Sequence, residues 1–123
     1  MDLSLYDLNN GVTYNTGAVS FSIPTSGELE QTIVSGVSGK KIVPVWIVMT
    51  KNAMGAGADF GYTLTSGSTD LIKSAMQSLF TWPLFNEFGC DFITAAEEGE
   101  DLKVTCYGTS TETCRVTVGY YIV

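Results

Sequence analysis

The sequence contains no histidine. The commonest general base and the commonest protein metal ligand are therefore missing, together with every catalytic triad that depends on histidine. Thirteen acidic residues supply carboxylates, but no motif selects a pair of them for glycoside hydrolysis. We expect a protein that is not an enzyme and that binds no metal or other cofactor.

Positive charge is scarce and scattered. Six basic residues stand against thirteen acidic ones, which gives a formal net charge of −7, and only Lys40 and Lys41 are adjacent. A protein that binds nucleic acid needs clustered cations to neutralise phosphates, so direct binding of DNA or RNA is not expected. Charged residues make up only 15% of the chain, and a surface this poor in charge suits permanent contacts with other proteins.

Long apolar runs are also missing. The longest uninterrupted apolar stretch covers residues 42–49, whereas a helix needs roughly 20 apolar residues to cross a bilayer. No basic segment precedes an apolar one at the start of the chain, as a secretory signal would require. We expect a soluble protein that has no membrane partner and is made without a secretory signal.

Cysteine is rare. The three residues Cys90, Cys106 and Cys114 form an odd set without a Cys-x-x-Cys pair. This spacing argues against a disulfide framework and against a zinc site. Cys90 is expected to be a buried thiol.

The sequence does contain the alternation that is typical of β-strands. At residues 18–23 small residues alternate with larger apolar ones until Pro24 ends the pattern, and a second strand is predicted at about residues 29–35. Residues 1–17 are predicted to be an N-terminal arm or lead-in, with an edge strand as the alternative. Residues 18–123 are predicted to form one domain, all-β and mainly antiparallel.

The segment 40–51 is apolar on both faces of a predicted strand. One face carries Val43, Val45, Ile47 and Met49, and the other carries Ile42, Pro44, Trp46 and Val48. A single antiparallel sandwich normally leaves one strand face in water, so the second face needs a cover. Pro44 cannot donate a ladder hydrogen bond, which places the strand at a sheet edge or at a bulge. The cover is either another chain or the N-terminal arm, or else the domain's own loops, such as residues 79–92.

Residues 70–80 favour a short helix, the one exception to an all-β fold. Apolar residues recur there at the spacing of one helical face, and Ser68 or Thr69 is available as the N-cap. The alternative is two short strands that bend around Ser74.

Two further segments have a ligand-binding interpretation, but a structural one is favoured for each. The aromatic residues within residues 81–92 are expected to line the core under a long loop rather than to form a ligand platform. The acidic residues within residues 97–101 lack the alternating spacing of a calcium loop, so a solvated turn is favoured over a calcium site.

The last two strands are predicted to form a hairpin with its turn at residues 108–111. Placing Cys106 opposite Cys114 aligns apolar residues on one face and mostly polar residues on the other. Directly opposed strand residues lie about 4.5–5.5 Å apart between Cα atoms, which is within disulfide range. The two cysteines are therefore either a disulfide or two buried thiols, and a reducing cytoplasm favours the thiols. The apolar pairs in this register are Val104 with Val116 and Leu102 with Val118.

The order of these elements resembles that of a known family. A hydrophobic strand at residues 42–50 precedes a glycine-rich hairpin at residues 53–61, and a Gly-Glu-Asp-Leu turn leads into a strand at residues 99–104. The last strand, residues 115–122, reads Arg-Val-Thr-Val-Gly-Tyr-Tyr-Ile. This order is similar to that of small β-sandwich virion proteins of tailed bacteriophages, most of all the head decoration or cement proteins.

The resemblance implies a jelly-roll-like β-sandwich that sits on the capsid surface, where major capsid subunits meet, and tightens their contacts. Its partners would be further copies of itself, in a homotrimer, and the major capsid protein, with synthesis in the host cytoplasm. The candidate contact surfaces are the arm and the doubly apolar strand. Their interface residues are Leu3, Leu5, Tyr6, Leu8, Ile42, Pro44, Trp46 and Val48.

Two alternatives remain beside this expectation. A neck, tail or fibre component of the same virion is the nearer one. The other is a carbohydrate-binding or receptor-binding module on the same sandwich, which would use Trp46, Trp82 or the tyrosines.

Overall fold

The computed structural model describes residues 15–23, 27–51, 60–73, 84–88, 91–108 and 112–123. These residues form eight strands and, within the same ranges, no helix. The strands are β1 Asn15–Ile23, β2 Gly27–Val34, β3 Ile42–Lys51, β4 Phe60–Ser66, β5 Thr69–Lys73, β6 Leu84–Glu87, β7 Leu102–Gly108 and β8 Glu112–Ile122.

The strands form two four-stranded sheets in which neighbouring strands are antiparallel. Sheet A has the order β1-β8-β3-β6, and sheet B has the order β2-β7-β4-β5. Strands of both sheets contribute to one main hydrophobic core. The predicted all-β, mainly antiparallel sandwich is confirmed, whereas the jelly-roll topology stays a prediction.

The core follows from the alternation of side chains along each strand. In β7, Leu102, Val104 and Cys106 are fully buried, while the residues between them are only partly buried. In β8 the same holds for Val116 and Val118. Because successive strand residues point to opposite faces, these two strands give every second side chain to the main core. Each fully buried Val or Leu side chain stabilises the fold by about 1.5–3 kcal/mol relative to an exposed one.

The predicted C-terminal hairpin is wrong, because β7 and β8 lie in different sheets. β7 pairs with β2 and β4, so Cys106 lies opposite Leu29 and Tyr62. β8 pairs with β1 and β3, which places Cys114 in the other sheet. The apolar face of each strand was predicted correctly, since both inner faces are buried, but they meet across the sandwich and not within one sheet.

The predicted helix is wrong over its first turn. Thr69–Lys73 is the strand β5, which pairs antiparallel with β4. Ser66 pairs with Thr69, so the two strands are joined by the two residues Gly67 and Ser68. Gly67 has a φ of 59°, the left-handed conformation that tight hairpin turns require and that glycine adopts without strain. Residues 74–80 lie outside the described residues.

The doubly apolar strand β3 is an interior strand and not an edge strand, since it lies between β8 and β6. The other position that Pro44 predicted, a bulge, is confirmed. The register between β3 and β8 shifts between Pro44 and Trp46. A bulge tolerates proline because it interrupts the ladder of backbone hydrogen bonds.

The predicted strand at residues 18–23 is confirmed and is longer than expected. β1 begins at Asn15 and pairs with β8 over its whole length without a register shift. The strand predicted at residues 29–35 corresponds to β2. Of the predicted arm, residues 1–14 lie outside the described residues, and with them Leu3, Leu5, Tyr6 and Leu8.

Candidate functional site

The bulge in β3 decides which residues face outward from sheet A. Ile42 before the bulge and Ile47 and Met49 after it all belong to the main core. The inner positions are therefore even-numbered before the bulge and odd-numbered after it. One extra residue reverses the alternation of a strand, so neither of the two predicted faces of this strand is a real face.

The bulge divides the four interface residues that were predicted on this strand. Ile42 is only 1% exposed, and Pro44 is also buried, so the protomer itself covers both. Trp46 and Val48 face outward and are half-buried. Only these two contribute to the surface of the protomer.

A short loop covers the outward side of the first half of β3. Val43 and Val45 form a small second core with Ala96 and Tyr121, and Phe92 and Ile93 pack against it. The loop is held by the backbone hydrogen bond from Ala96 to Phe92, 2.9 Å long, and by the bond from Lys41 Nζ to the Ile93 carbonyl, 3.2 Å long. The interpretation in which the domain's own loops cover the strand is therefore correct for this half.

In the second half of β3, Trp46 packs against the edge of this second core. Beyond it the described residues provide no such cover, and a continuous surface forms there. Val48 lies between Thr117 of β8 and Phe85 of β6, and Trp46 lies between Gly119 of β8 and Glu87 of β6. Phe85 is 56% exposed, the largest value among the large apolar residues that the structure describes. We name this area the Trp46 surface. It consists of Trp46, Val48, Phe85, Thr117 and Gly119.

The indole ring of Trp46 lies directly over Gly119 on the neighbouring strand. A Cβ atom on Gly119 would overlap the Cε2 and Nε1 atoms of the ring. Gly119 is buried as a result, although it belongs to the outward face. An aromatic ring that covers a cross-strand glycine is a known way to stabilise a sheet. The ring is therefore held in place before any partner binds.

Charge lies at the margins of the Trp46 surface. Glu87 is exposed beside Trp46, and Arg115 is exposed opposite Thr50, one row beyond Val48. The row formed by Ala18, Thr117, Val48 and Phe85 contains no charged residue. An apolar centre with charged margins is the usual composition of a protein interface.

The outer face of sheet B differs from this. Lys103 forms a salt bridge of 3.5 Å with Glu30 of β2, which lies diagonally across, two residues from Thr32, the register partner of Lys103. The hydroxyl groups of Thr63 and Tyr107 form a hydrogen bond on the same sheet. Polar groups therefore mark this face, although Thr63 is itself only 5% exposed, and the outer faces of the two sheets differ in chemistry.

The aromatic residues of segment 81–92 were predicted to line the core, and this prediction is correct for only some of them. Phe88 is buried in the main core, and its ring lies 5.0 Å from that of Phe92 at an interplanar angle of 60°. Phe85 instead faces outward. Trp82 lies outside the described residues.

A polar contact joins the two sheets in the interior. The side-chain amide of Asn86 on β6 donates a hydrogen bond of 2.8 Å to the hydroxyl of Tyr62 on β4. Burial raises the pKa of the Tyr62 hydroxyl above its ordinary value of 10.0, and the hydrogen bond from Asn86 offsets part of that increase. The group therefore stays neutral, and its role is structural.

Two carboxylates of the acidic segment 97–101 form hydrogen bonds with neighbouring turns and strands. The carboxylate of Glu97 accepts hydrogen bonds from the Ser68 amide at 3.0 Å and from the Thr69 hydroxyl at 3.0 Å. The carboxylate of Asp101 accepts one from the Gly36 amide at 2.6 Å. Among the described residues there is no group of His, Cys, Asp and Glu that could hold a metal ion. The segment is a structural turn whose carboxylates accept hydrogen bonds from other groups of the protein.

Cys106 is a buried thiol in the main core. The proposed opposition of Cys106 and Cys114 in one hairpin is wrong, because their strands belong to different sheets. The reason for expecting them within disulfide range therefore disappears. Cys90 lies outside the described residues.

No protein-family model matches the chain, and no curated protein matches it in sequence. In the part of the chain that the structure describes, no helix is long and apolar enough to cross a membrane. Among the described residues, the exposed Phe85 beside Trp46 and Val48 makes the Trp46 surface the candidate site, and its chemistry is binding by apolar contact. The bulge that creates it could not be placed from the sequence. Phe85 did carry a signal, because in a strand it shares a face with the charged Glu87, two residues further on.

Proposed function

We propose that the chain is a structural virion protein that binds the assembled capsid of a tailed bacteriophage through the Trp46 surface, as a decoration or cement protein does. The observation that carries the proposal is the exposure of Phe85 beside the half-buried Trp46 and Val48. Exposed apolar patches with a polar margin mark sites of protein interaction. The resemblance of the sequence to decoration proteins supplies the kind of partner, the major capsid protein. One element of that resemblance is wrong: the glycine-rich segment 53–61 is not a hairpin, because β3 and β4 lie in different sheets.

The surface favours a protein partner over a small molecule. Phe85 and Val48 are adjacent on neighbouring strands and offer apolar contact area without a hydrogen-bonding group. Small-molecule sites usually combine apolar lining with a few convergent polar groups. Aromatic residues at the centre of an interface are among the side chains that contribute most to binding between proteins. A capsid subunit with a complementary apolar patch is the partner that fits.

The low content of charge supports a permanent contact. Charged residues make up 15% of the chain, and the middle row of the Trp46 surface has none. Burying a charge in an interface costs free energy unless it is paired. An uncharged face avoids that cost and binds by the removal of apolar surface from water.

The direct test is the composition of purified particles from the virus whose genome encodes this chain. Quantitative mass spectrometry is expected to find the protein in a fixed ratio to the major capsid protein. A copy number that matches the number of capsid sites supports a decoration role, whereas a few copies per particle support a neck, tail or fibre component. Absence from purified particles would contradict the proposal.

A carbohydrate-binding module is the second candidate, and one observation favours it. The Trp46 ring lies over Gly119, with the exposed carboxylate of Glu87 beside it. A fixed aromatic ring next to a hydrogen-bond acceptor is an arrangement on which a sugar can stack. Quenching of Trp46 fluorescence by a glycan, in a Trp82→Phe background, would support this function, and unchanged emission across a glycan array would exclude it.

A further inference from the structure

The four edge strands of the sandwich are not equally protected against pairing with another chain. Within the described residues, sheet A ends in β1 and β6, and sheet B ends in β2 and β5. β6 has only four residues and β5 only five. β2 carries the exposed Glu28 and Glu30 and a register shift after Thr32. Short length, charge and bulges are the devices that keep edge strands apart.

β1 has none of these devices. It is nine residues long, pairs with β8 without a register shift, and contains neither a charged residue nor a proline between Asn15 and Ile23. Among the described residues its only strand partner is β8, and no other backbone hydrogen bond involves it. A long, regular and uncharged edge is a template for a further strand.

The sequence of β1 is suited to pairing with itself. In an antiparallel pair centred on Val19, all nine residues find a partner in the second copy. Ala18 lies opposite Ser20, so two small residues meet across the interface. No like charges are brought together anywhere in this register.

We propose that β1 pairs with β1 of a second copy of this chain, about a two-fold axis through Val19. Such an interface is isologous, because each strand presents the same surface to the other. The two four-stranded sheets A then continue as one sheet of eight strands. The result is a dimer, whereas the resemblance to decoration proteins implies a trimer. The number of copies in the oligomer therefore distinguishes these two expectations.

The pairing of two β1 strands also affects how the protein would bind a capsid, and only this step rests on the proposed function. Ala18 of β1 faces outward, since it is exposed and pairs with Thr117 on the outward face of β8. In the centred register even-numbered residues lie opposite even-numbered ones, so the outward faces of both copies lie on the same side. The dimer therefore presents two Trp46 surfaces side by side, and a capsid with repeated sites can bind both at once. Linking two sites in this way raises apparent affinity without any new contact.

The first measurement is the molar mass of the full chain by light scattering across a range of concentrations. The expected value is twice the 13.2 kDa mass of the protomer. A protomer mass at every concentration, or a mass of three protomers, would overturn the proposal.

The second measurement uses paired charges at Ala18, whose side chain is exposed. In the two-fold register the two Ala18 positions are diagonal neighbours, about 7–8 Å apart. Ala18→Lys and Ala18→Glu are each expected to weaken the dimer at least tenfold at low salt, and an equal mixture of the two is expected to restore a dimer. Retention of the dimer by both single variants, or failure of the mixture to associate, would overturn the proposal.

Two control variants keep this result distinct from a failure of folding or of the proposed function. Val37→Lys adds the same charge at a residue that is 41% exposed in the connection between β2 and β3, and it is expected to stay dimeric. Phe85→Ser is expected to stay dimeric even if it no longer binds particles. Loss of the dimer in Phe85→Ser but not in Ala18→Lys would place the self-contact on the Trp46 surface and would overturn the pairing of β1.

Discussion

A single residue, Val45, determines the surface of this protein. It stands at the bulge where the register of β3 against β8 shifts, and its carbonyl accepts a hydrogen bond of 2.7 Å from the Phe88 amide. Because of this extra residue, Trp46 and Val48 face outward while Ile42 faces the core. Pro44 predicts a bulge from the sequence. Which side chains face outward beyond the bulge depends on the position of the extra residue, and a strand that is apolar on both faces does not indicate that position.

The contact between Trp46 and Gly119 can be tested by adding a methyl group at Gly119. Gly119→Ala is expected to lower the free energy of unfolding by about 1–3 kcal/mol, because the added Cβ displaces the indole ring. In a Trp82→Phe background, where Trp46 is the only tryptophan, the emission maximum is expected to move to longer wavelength as the ring becomes more exposed. Thr117→Val, on the same strand and face, serves as the control and is expected to leave the emission unchanged. An unshifted emission in Gly119→Ala would contradict this packing.

The hydrogen bond between Asn86 and Tyr62 gives a second prediction. Tyr62→Phe and Asn86→Leu are each expected to cost about 1–3 kcal/mol, because each leaves a polar partner short of a hydrogen bond in the interior. The double variant is expected to cost less than the sum of the two, by about 1 kcal/mol. Urea unfolding of the four proteins measures this coupling, and strictly additive costs would show that the two groups do not interact.

At the scale of the elements, alternation predicts which side of a strand is buried but not which strand lies beside it. Leu102, Val104, Val116 and Val118 are all buried as their pattern predicts. A hairpin satisfies that pattern as well as two strands that face each other from different sheets, and the structure has the second arrangement. Pairing depends on the whole set of competing strands, and local sequence does not contain that information.

The strand β5 shows a different reason for a wrong prediction. Leu71 and Ile72 fit the helical face that was predicted over residues 70–80, but β5 covers only the start of that pattern. Two adjacent apolar residues do not separate a period of 3.6 from a period of 2. The decisive signal was the pair Gly67–Ser68, a two-residue loop of the type that joins hairpin strands. Turn chemistry was more informative here than apolar spacing.

The connection that contains Glu97 gives a prediction about pH. Hydrogen bonds from the Ser68 amide and the Thr69 hydroxyl lower the pKa of Glu97 below its ordinary value of 4.5. Since the folded state holds the charged form, these bonds stabilise the protein above that ordinary pKa, and the stabilisation is lost as the pH falls through the lowered, folded-state value.

Glu97→Gln is therefore expected to reduce stability at pH 7 and to lose less stability than the wild type when the pH is lowered from about 5 to about 3. Urea midpoints measured across this range make the comparison. Glu98→Gln changes the neighbouring exposed carboxylate and is expected to follow the wild type. Parallel curves for the wild type and Glu97→Gln would show that the hydrogen bonds of Glu97 do not contribute.

In the whole molecule, the outer faces of the two sheets differ in chemistry. The outer face of sheet B carries an ion pair and a hydrogen-bonded pair of hydroxyl groups, whereas sheet A carries the Trp46 surface beside β1, an edge strand within the described part of the chain. The low charge content predicts a surface of the second kind somewhere on the molecule. Its position could not be predicted, because it depends on the bulge and on the loop that covers only the first half of β3.

The claim that the Trp46 surface binds the capsid is tested most directly by the binding of purified variants to particles that lack the protein. Phe85→Ser is expected to reduce affinity at least tenfold, since a central aromatic contact is commonly worth about 2 kcal/mol or more. Val37→Ser removes a similarly exposed apolar side chain outside the surface and is expected to bind like the wild type. Equal binding by Phe85→Ser and the wild type would contradict the account.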